Sequence, residues 1–186
     1  MKKILVVFAE KCLGCRSCEL ACAVEHSQSK DLIKSLTETP LPQHRVEVET
    51  LEDFTIPLQC RHCEDAPCVS VCPTHALQKS SPDSPVSLND ELCIGCKWCI
   101  LVCPFGVIKI RRDGKAIVKC DLCKERTEKG LKPACVEACP TGALQFMEVE
   151  KVTKEKKERF LVSLIKSEEK TARIRENEST SFGNSR

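Results

Sequence analysis

Sixteen cysteines dominate the chemistry available to this chain of 186 residues, and their spacing is the first thing to explain. Cys93, Cys96, Cys99 and Cys103, with Pro104 behind them, read C-x2-C-x2-C-x3-C-P. Three thiolates so close together can grip three corners of one iron–sulfide cube, provided the backbone curls around it. Gly95 suits that curl, because glycine accepts the positive φ of a tight bend. The fourth cysteine falls on the next turn and points away, which gives it to a different cube. Pro104 then stops helix continuation past the ligand.

Three variants of the run accompany it. Cys12, Cys15, Cys18 and Cys22 keep the same spacing, with Gly14 in the place of Gly95 and no proline after the last cysteine. Ala23 to His26 follow instead, a sequence that can continue as a short helix. Cys60, Cys63, Cys68 and Cys72 precede Pro73, and Glu64 to Pro67 widen the second gap to four residues. Cys120, Cys123, Cys135 and Cys139 precede Pro140, and their wide gap of eleven residues carries Lys124, Arg126, Lys129 and Lys132 against Glu125 and Glu128. The hexapeptides from Cys72 to Leu77, Cys103 to Ile108 and Cys139 to Leu144 repeat one pattern of ligand, turn and apolar strand start. Repetition of this kind indicates duplication of one cluster-binding unit.

So many cysteines suit either a secreted disulfide scaffold or a metal protein. Only six apolar residues, Ile4 to Ala9, follow Met1-Lys2-Lys3 before Glu10. That is short for a signal-peptide core and lacks a cleavage pattern, so a cytoplasmic, reduced protein is expected. No stretch approaches the roughly 20 apolar residues that cross a bilayer. With one Trp, six Phe and no Tyr, the ordinary core is thin. Metal ligation is therefore expected to supply much of the folding energy. The formal charge of +2 counts only the bare polypeptide. Four oxidised thiolate-bound cubes at about −2 each move the loaded protein to about −6, which argues against nucleic-acid binding by bulk charge.

The elements that must position these runs are short. Ile4 to Ala9 reads as a strand with Ile4, Val6 and Phe8 on one face. The 37 residues from Ala23 to Gln59 form the longest cysteine-free interval inside the cluster region. In it, Asp31 to Leu36 looks helical, Pro40 and Pro42 break it, and Arg45–Glu49 and Phe54–Leu58 alternate as two strands. An interval this long is either a partner surface or a cap over a cluster. Ser80 to Pro85 is a turn-rich link, and Asp113-Gly114 between Val107–Arg112 and Lys115–Lys119 is a two-residue hairpin signal. The N-terminal strand is expected to pair with Ala143 to Val149. From Glu148 to Arg175 there are nine Lys or Arg, six Glu, and no Gly, Pro or Cys. Phe160, Leu161, Leu164 and Ile165 form an apolar stripe at helical spacing there, suited to packing on its own domain or to docking another subunit. The last residues, 176–186, are polar and expected to be disordered.

Four runs with this variation in spacing resemble the four-cluster ferredoxin-like electron-transfer subunits that accompany molybdenum or tungsten oxidoreductases, hydrogenases and carbon monoxide dehydrogenases. The resemblance covers about residues 2–147, and the compact members without membrane anchors are the most similar. It implies an α+β fold of two pseudo-symmetric ferredoxin-like lobes with nested pairing of the runs. Residues 1–24 and 117–149 would form lobe one and 55–116 lobe two, with 25–54 inserted, 150–175 a charged helix and 176–186 a tail. It implies four [4Fe-4S] clusters, held by Cys12, Cys15, Cys18 and Cys139; by Cys120, Cys123, Cys135 and Cys22; by Cys60, Cys63, Cys68 and Cys103; and by Cys93, Cys96, Cys99 and Cys72. Some relatives replace a third-run cysteine by Trp and hold a three-iron cluster; here Trp98 is additional to a complete set.

The function so implied is a relay between redox subunits, with a catalytic redox subunit or further copies of the chain as partners and no reaction of its own. A relay needs clusters close together, ends near the surface and tuned potentials. Lys97, Arg16 and Arg61 beside ligands could tune potentials or meet an acidic partner, and Trp98 could shield its cluster. His62 and His75 read as surface or packing residues, since sixteen thiols already fill sixteen positions. Radical chemistry on an open iron needs C-x3-C-x2-C, and the positions three after Cys22, Cys72 and Cys103 are Glu25, His75 and Gly106. Zinc suits C-x2-C pairs, but seldom three or four cysteines so close with Cys-Pro after the last.

Overall fold

The computed structural model describes residues 3–181. It divides into two compact units, one running from Leu5 to Phe146 and holding all sixteen cysteines, the other formed by the residues up to Ile4 and those from Met147 onward. The class is α+β, built from short helices, one long helix and four two-stranded sheets among the described residues.

Strand β1 (Lys3–Val7) pairs with β8 (Leu144–Glu148), as the sequence leads one to expect. Leu5 and Val7 are the β1 residues packed against the core, while of the expected face of Ile4, Val6 and Phe8 only Phe8, just past the strand, is buried. The strand enters a 3-10 turn at Ala9–Lys11, so its register is fixed from that end, where the Phe8 amide donates to the Ala143 carbonyl at 2.8 Å. Helix α1 (Ser17–Glu25) carries Cys18 and Cys22 four residues apart, on one buried face. Helix α2 (Leu32–Ser35) starts at Asp31, whose carboxylate accepts the Lys34 amide at 2.9 Å as an N-cap.

Strands β2 (Val46–Leu51) and β3 (Phe54–Gln59) form an antiparallel hairpin with Val46 opposite Gln59 and Leu51 opposite Phe54. Val46 and Val48 are buried, which turns Glu47 and Glu49 away from the core. Helix α3 (Pro67–Ser70) precedes the small sheet of β4 (Leu77–Gln78) and β5 (Ser87–Leu88). Helix α4 (Trp98–Leu101) precedes that of β6 (Lys109–Ile110) and β7 (Ile117–Val118). The turn between β6 and β7 sits one residue earlier than the dipeptide signal, because the Gly114 amide donates to the Arg111 carbonyl at 2.8 Å. Asp113 fixes it by accepting from Arg111 Nε at 2.9 Å and the Lys115 amide at 3.0 Å. Helices α5 (Lys124–Glu128) and α6 (Ala134–Glu137) complete the cysteine-bearing unit.

Two separate cores result. One gathers Ala66, Leu77, Val86, Ile108 and Ile117 around Cys68 and Cys99, so it is built by the second and third runs. The other gathers Val46, Val48 and Leu144 around Cys18, Cys22 and Cys135, so it is built by the first and fourth. Half of the buried residues in the second core are cysteines.

In the other unit, helix α7 spans Val149–Ser181. It runs to Ser181 through the start of the stretch expected to be disordered, and 182–186 lie outside the described residues. Its apolar stripe of Phe160, Leu161, Leu164 and Ile165 is exposed. No helix among the described residues is long and apolar enough to cross a membrane.

Candidate metal centres

The four runs share one backbone device. The residue before the second cysteine takes positive φ in each: Gly14, His62, Gly95 and Leu122, between +48° and +67°. That turn aims amides inward, and His62 and Leu122 each donate to the first sulfur of their run, Cys60 and Cys120, at 3.4 Å. At Gly95 the curl also leaves no room for a side chain, since a Cβ would meet the Lys115 carbonyl oxygen at 2.2 Å. The third cysteine of every run lies in a short helix, Cys18 in α1, Cys68 in α3, Cys99 in α4 and Cys135 in α6. In the last three runs the fourth cysteine follows the end of that four-residue helix and is itself followed by proline.

After the proline a second device repeats. His75, Gly106 and Gly142 take positive φ, and their amides donate to the carbonyls of Cys72, Cys103 and Cys139 at 3.2, 3.2 and 3.3 Å. Two of these turns supply donors to the ligand sulfur. Burial raises the Cys72 thiol, but amides of Leu77, Thr74 and Ala76 and the Thr74 hydroxyl outweigh it and hold the thiol low. Burial likewise raises Cys139, and the Leu144, Thr141 and Ala143 amides with the Thr141 hydroxyl outweigh it. The first run has no such turn. There α1 continues past Cys22, and the Arg45 amide from the start of the hairpin donates to Cys22 Sγ at 3.2 Å.

Which cysteines come together is visible in a cavity and in mutual charge. One cavity is lined by Cys93, Cys96 and Cys99 of the third run and by Cys72 of the second, with Trp98 on its wall. Burial, then the like charges of Cys120, Cys22 and Cys123, push the Cys135 thiol far up. Burial raises Cys68, and Cys60, Cys103 and Cys63 add to it. Cys18 is pushed up to about 12 by burial first, with Glu19, Cys139 and Cys15 adding to it. Cys12 packs against the same core as Cys18 and Cys139. All sixteen are free cysteines, and of them only Cys15 and Cys96, each second in its run, are exposed.

This donor set fits iron–sulfur clusters. Thiols crowded this closely resist ionising together until a metal's positive charge is shared among them. Next to the second run, Gln59 is buried with neither side-chain amide atom partnered, and so is the Nε2 of His62. Because His62 Nδ1 accepts the Val86 amide at 3.0 Å, Nε2 carries the proton and is a donor without a protein acceptor. Cluster sulfides are acceptors for such groups.

Several residues that hold the centres are not apparent from motif spacing. Asp121, between two ligands, binds His26 at 3.1 Å, Arg45 at 2.6 Å and the Cys123 amide at 3.0 Å. His26, Asp121 and Cys123 lie close enough to converge on an ion, but Arg45 already holds Asp121 Oδ2 and His26 holds Oδ1. Arg126 closes the wide gap of the fourth run, bonding Glu25 at 3.1 Å, the Lys132 carbonyl at 2.8 Å and Glu137. Lys119 is 2% exposed, just ahead of the fourth run. Its burial is legible only in retrospect, at the end of the apolar stretch Ala116 to Val118. Of the residues the sequence singled out, His75, Arg16, Arg61 and Lys97 are exposed, and Trp98 lines its cavity while 56% exposed.

The 4Fe-4S dicluster domain family matches residues 51–149. This protein belongs to that family. Relatives of the dicluster protein extend the match over most of its length. An iron-sulfur protein of Rhodospirillum rubrum is 41% identical over 81% of this chain and 85% of its own. The electron transport protein HydN of Escherichia coli is 37% identical over 86% of this chain and 97% of its own. The B subunit of the anaerobic dimethyl sulfoxide reductase of E. coli is 32% identical over 78% of this chain and 73% of its own.

Proposed function

We propose that this chain is the relay subunit of a larger oxidoreductase, carrying electrons through four [4Fe-4S] clusters to or from a catalytic subunit. The observation that carries the reading is the cavity in which Cys72 of the second run joins Cys93, Cys96 and Cys99 of the third. It supports nested ligand sets. Cys12, Cys15, Cys18 and Cys139 would hold one cluster, and Cys22, Cys120, Cys123 and Cys135 its neighbour in lobe one. Cys60, Cys63, Cys68 and Cys103 would hold the third, and Cys72, Cys93, Cys96 and Cys99 the fourth, in lobe two. The two cores, one per pair of runs, support two pseudo-symmetric lobes.

When bound, each cluster supplies a one-electron couple. The protein's part is to fix sulfurs, donors and solvent access. Amide donors at Cys22, Cys60 and Cys120 would favour the reduced, more negative state and so raise potentials. The Thr74 and Thr141 hydroxyls, 3.8 Å from Cys72 and Cys139 sulfurs, would do the same if they donate. Exposed Cys15 and Cys96 mark one outlet in each lobe. The relatives support the class: one is named an electron transport protein and another is a subunit of a reductase. The partner is a molybdenum or tungsten enzyme, a hydrogenase or a carbon monoxide dehydrogenase, and α7 is a surface for docking it or a further copy of the chain.

Anaerobic purification from the native host tests the whole reading. About sixteen irons and as much sulfide per chain, with a co-purifying redox enzyme identified by mass, is the expected result. Zinc in place of iron would sink it, and a full cluster load with no partner would reduce the protein to a free ferredoxin.

A further inference from the structure

Lys119 is a cation in the interior, 2% exposed, where an ammonium is costly unless it is compensated. Two of its donors are used on backbone oxygens, the Val86 carbonyl at 2.5 Å and the Cys120 carbonyl at 2.7 Å. These belong to different parts of the fold: Val86 is in the core of the second and third runs, whereas Cys120 opens the fourth run. Val86 is gripped from both sides, since its amide donates to His62 Nδ1 at 3.0 Å. His62 adds no charge of its own, because the Nδ1 that accepts the Val86 amide carries no proton.

The Lys119 charge reaches thiols of two different runs. Its Nζ is bonded to the backbone of Cys120, which opens the fourth run, and to Val86, whose amide in turn holds His62 between Cys60 and Cys63 of the second. The carboxylate that follows Cys120 in sequence, that of Asp121, is already matched by Arg45 and His26. A backbone clamp alone would need only a neutral donor. A buried ammonium between two groups of thiolates does something a clamp does not.

We infer that Lys119 is a positioning residue of the relay, a fixed buried positive charge that raises the reduction potentials of the two clusters flanking it. These are the clusters of the Cys60, Cys63, Cys68 and Cys103 set and of the Cys22, Cys120, Cys123 and Cys135 set, so the inference rests on the ligand sets proposed above. Each cluster becomes more negative on reduction, and a nearby cation stabilises the reduced state. Lys119 thus marks the crossing between the lobes and favours the electron there over the two outlets.

The test is potentiometric titration followed by electron paramagnetic resonance on the full-length protein, loaded anaerobically. Cys68→Ser and Cys135→Ser assign one signal to each flanking cluster. Lys119→Gln, which keeps a donor and removes the charge, is expected to lower both assigned potentials. The expected change is at least tenfold in the oxidised-to-reduced ratio, about 59 mV for a one-electron couple. The other two clusters should move less, and Lys119→Arg should restore the original values. Lys119→Met is a second neutral variant should the glutamine form load poorly. Four unchanged potentials in a fully loaded neutral variant, or four equal shifts, would overturn the inference. Failure of the ligand sets would look different. Cys68→Ser and Cys103→Ser would then disturb different signals, whatever Lys119→Gln does.

Discussion

His26 Nε2 lies 3.1 Å from Asp121 Oδ1, a bond that spans 95 residues and ties the end of the first run to the start of the fourth. Asp121 also holds Arg45 at 2.6 Å, and Arg45 gives its amide to Cys22 Sγ. One carboxylate therefore fastens three segments around the sulfurs of Cys22 and Cys123. Burial would lower His26, yet its bonds to Asp121 and Cys22 outweigh it and raise the imidazole to about 9. For Asp121, burial would raise the carboxyl, but His26 and Arg45 hold it well below the usual carboxylate range.

Asp121→Ala leaves a largely buried imidazole and a guanidinium without their shared partner. A loss of about 2 kcal/mol is expected, between the cost of an exposed pair and of a fully buried one. Asp121→Asn, which retains acceptor and shape, should lose less. Guanidinium titration of the loaded protein, read by the visible cluster absorbance, checks this. Equal midpoints for alanine variant and parent would show that the network does not hold the centre.

The eleven-residue gap in the fourth run is stapled by Arg126, which reaches Glu25, Glu137 and the Lys132 carbonyl, while Glu125 beside it pairs with Lys30. Arg126→Ala should leave Cys135 poorly placed. Iron content is then expected to fall by one cluster of four, and Arg126→Lys should not rescue it, because an ammonium lacks the guanidinium fork. Full iron in the alanine variant would refute the role.

How much of this was open to the sequence depends on range. The thiol runs, the glycine bends and the β2–β3 hairpin are set by nearby residues, and the spacing of Val46, Val48, Gly14 and Gly95 discloses them. The face of β1 was not, because Ile4 to Ala9 is apolar at every position and carries no alternation. Asp121 and Lys119 were hidden for a further reason. An aspartate beside a ligand, or a lysine ending a strand, has the same local signature whether it faces water or the interior. Only the return of a distant segment, His26 and Arg45 in one case and Val86 in the other, determines which. Positive φ at His62 and Leu122 is a related case, since a non-glycine residue there gives no hint that it copies Gly14 and Gly95.

Gly95 and Gly14 occupy equivalent positions but differ in surroundings. A Cβ at Gly95 would meet the Lys115 carbonyl oxygen at 2.2 Å, whereas one at Gly14 would meet Thr55 Cγ2 at 3.4 Å, an ordinary contact. Both bear the strain of positive φ, roughly 1–2 kcal/mol for a residue with a side chain. Only Gly95→Ala must also displace backbone. It is expected to lose the cluster cradled by Cys93, Cys96 and Cys99, while Gly14→Ala keeps all four at somewhat reduced stability. Iron analysis of the two variants side by side is decisive, and equal losses would contradict the packing argument.

Metal removal is the broadest test. Of the six buried residues in the first-and-fourth-run core, Cys18, Cys22 and Cys135 are thiols, leaving Val46, Val48 and Leu144 as the aliphatic part. Burying those three contributes about 5–9 kcal/mol at about 1.5–3 kcal/mol each. Ordering the backbone costs about 1–2 kcal/mol per residue, and a core this small does not hold its segments alone. Without iron, thiols pressed against like thiols add a penalty rather than a bond. Anaerobic chelation is therefore expected to abolish visible absorbance and the cooperative thermal transition together, and restoring iron and sulfide should return both. A chelated protein that still melts cooperatively near the temperature of the loaded form would place the stability in the polypeptide instead of the clusters.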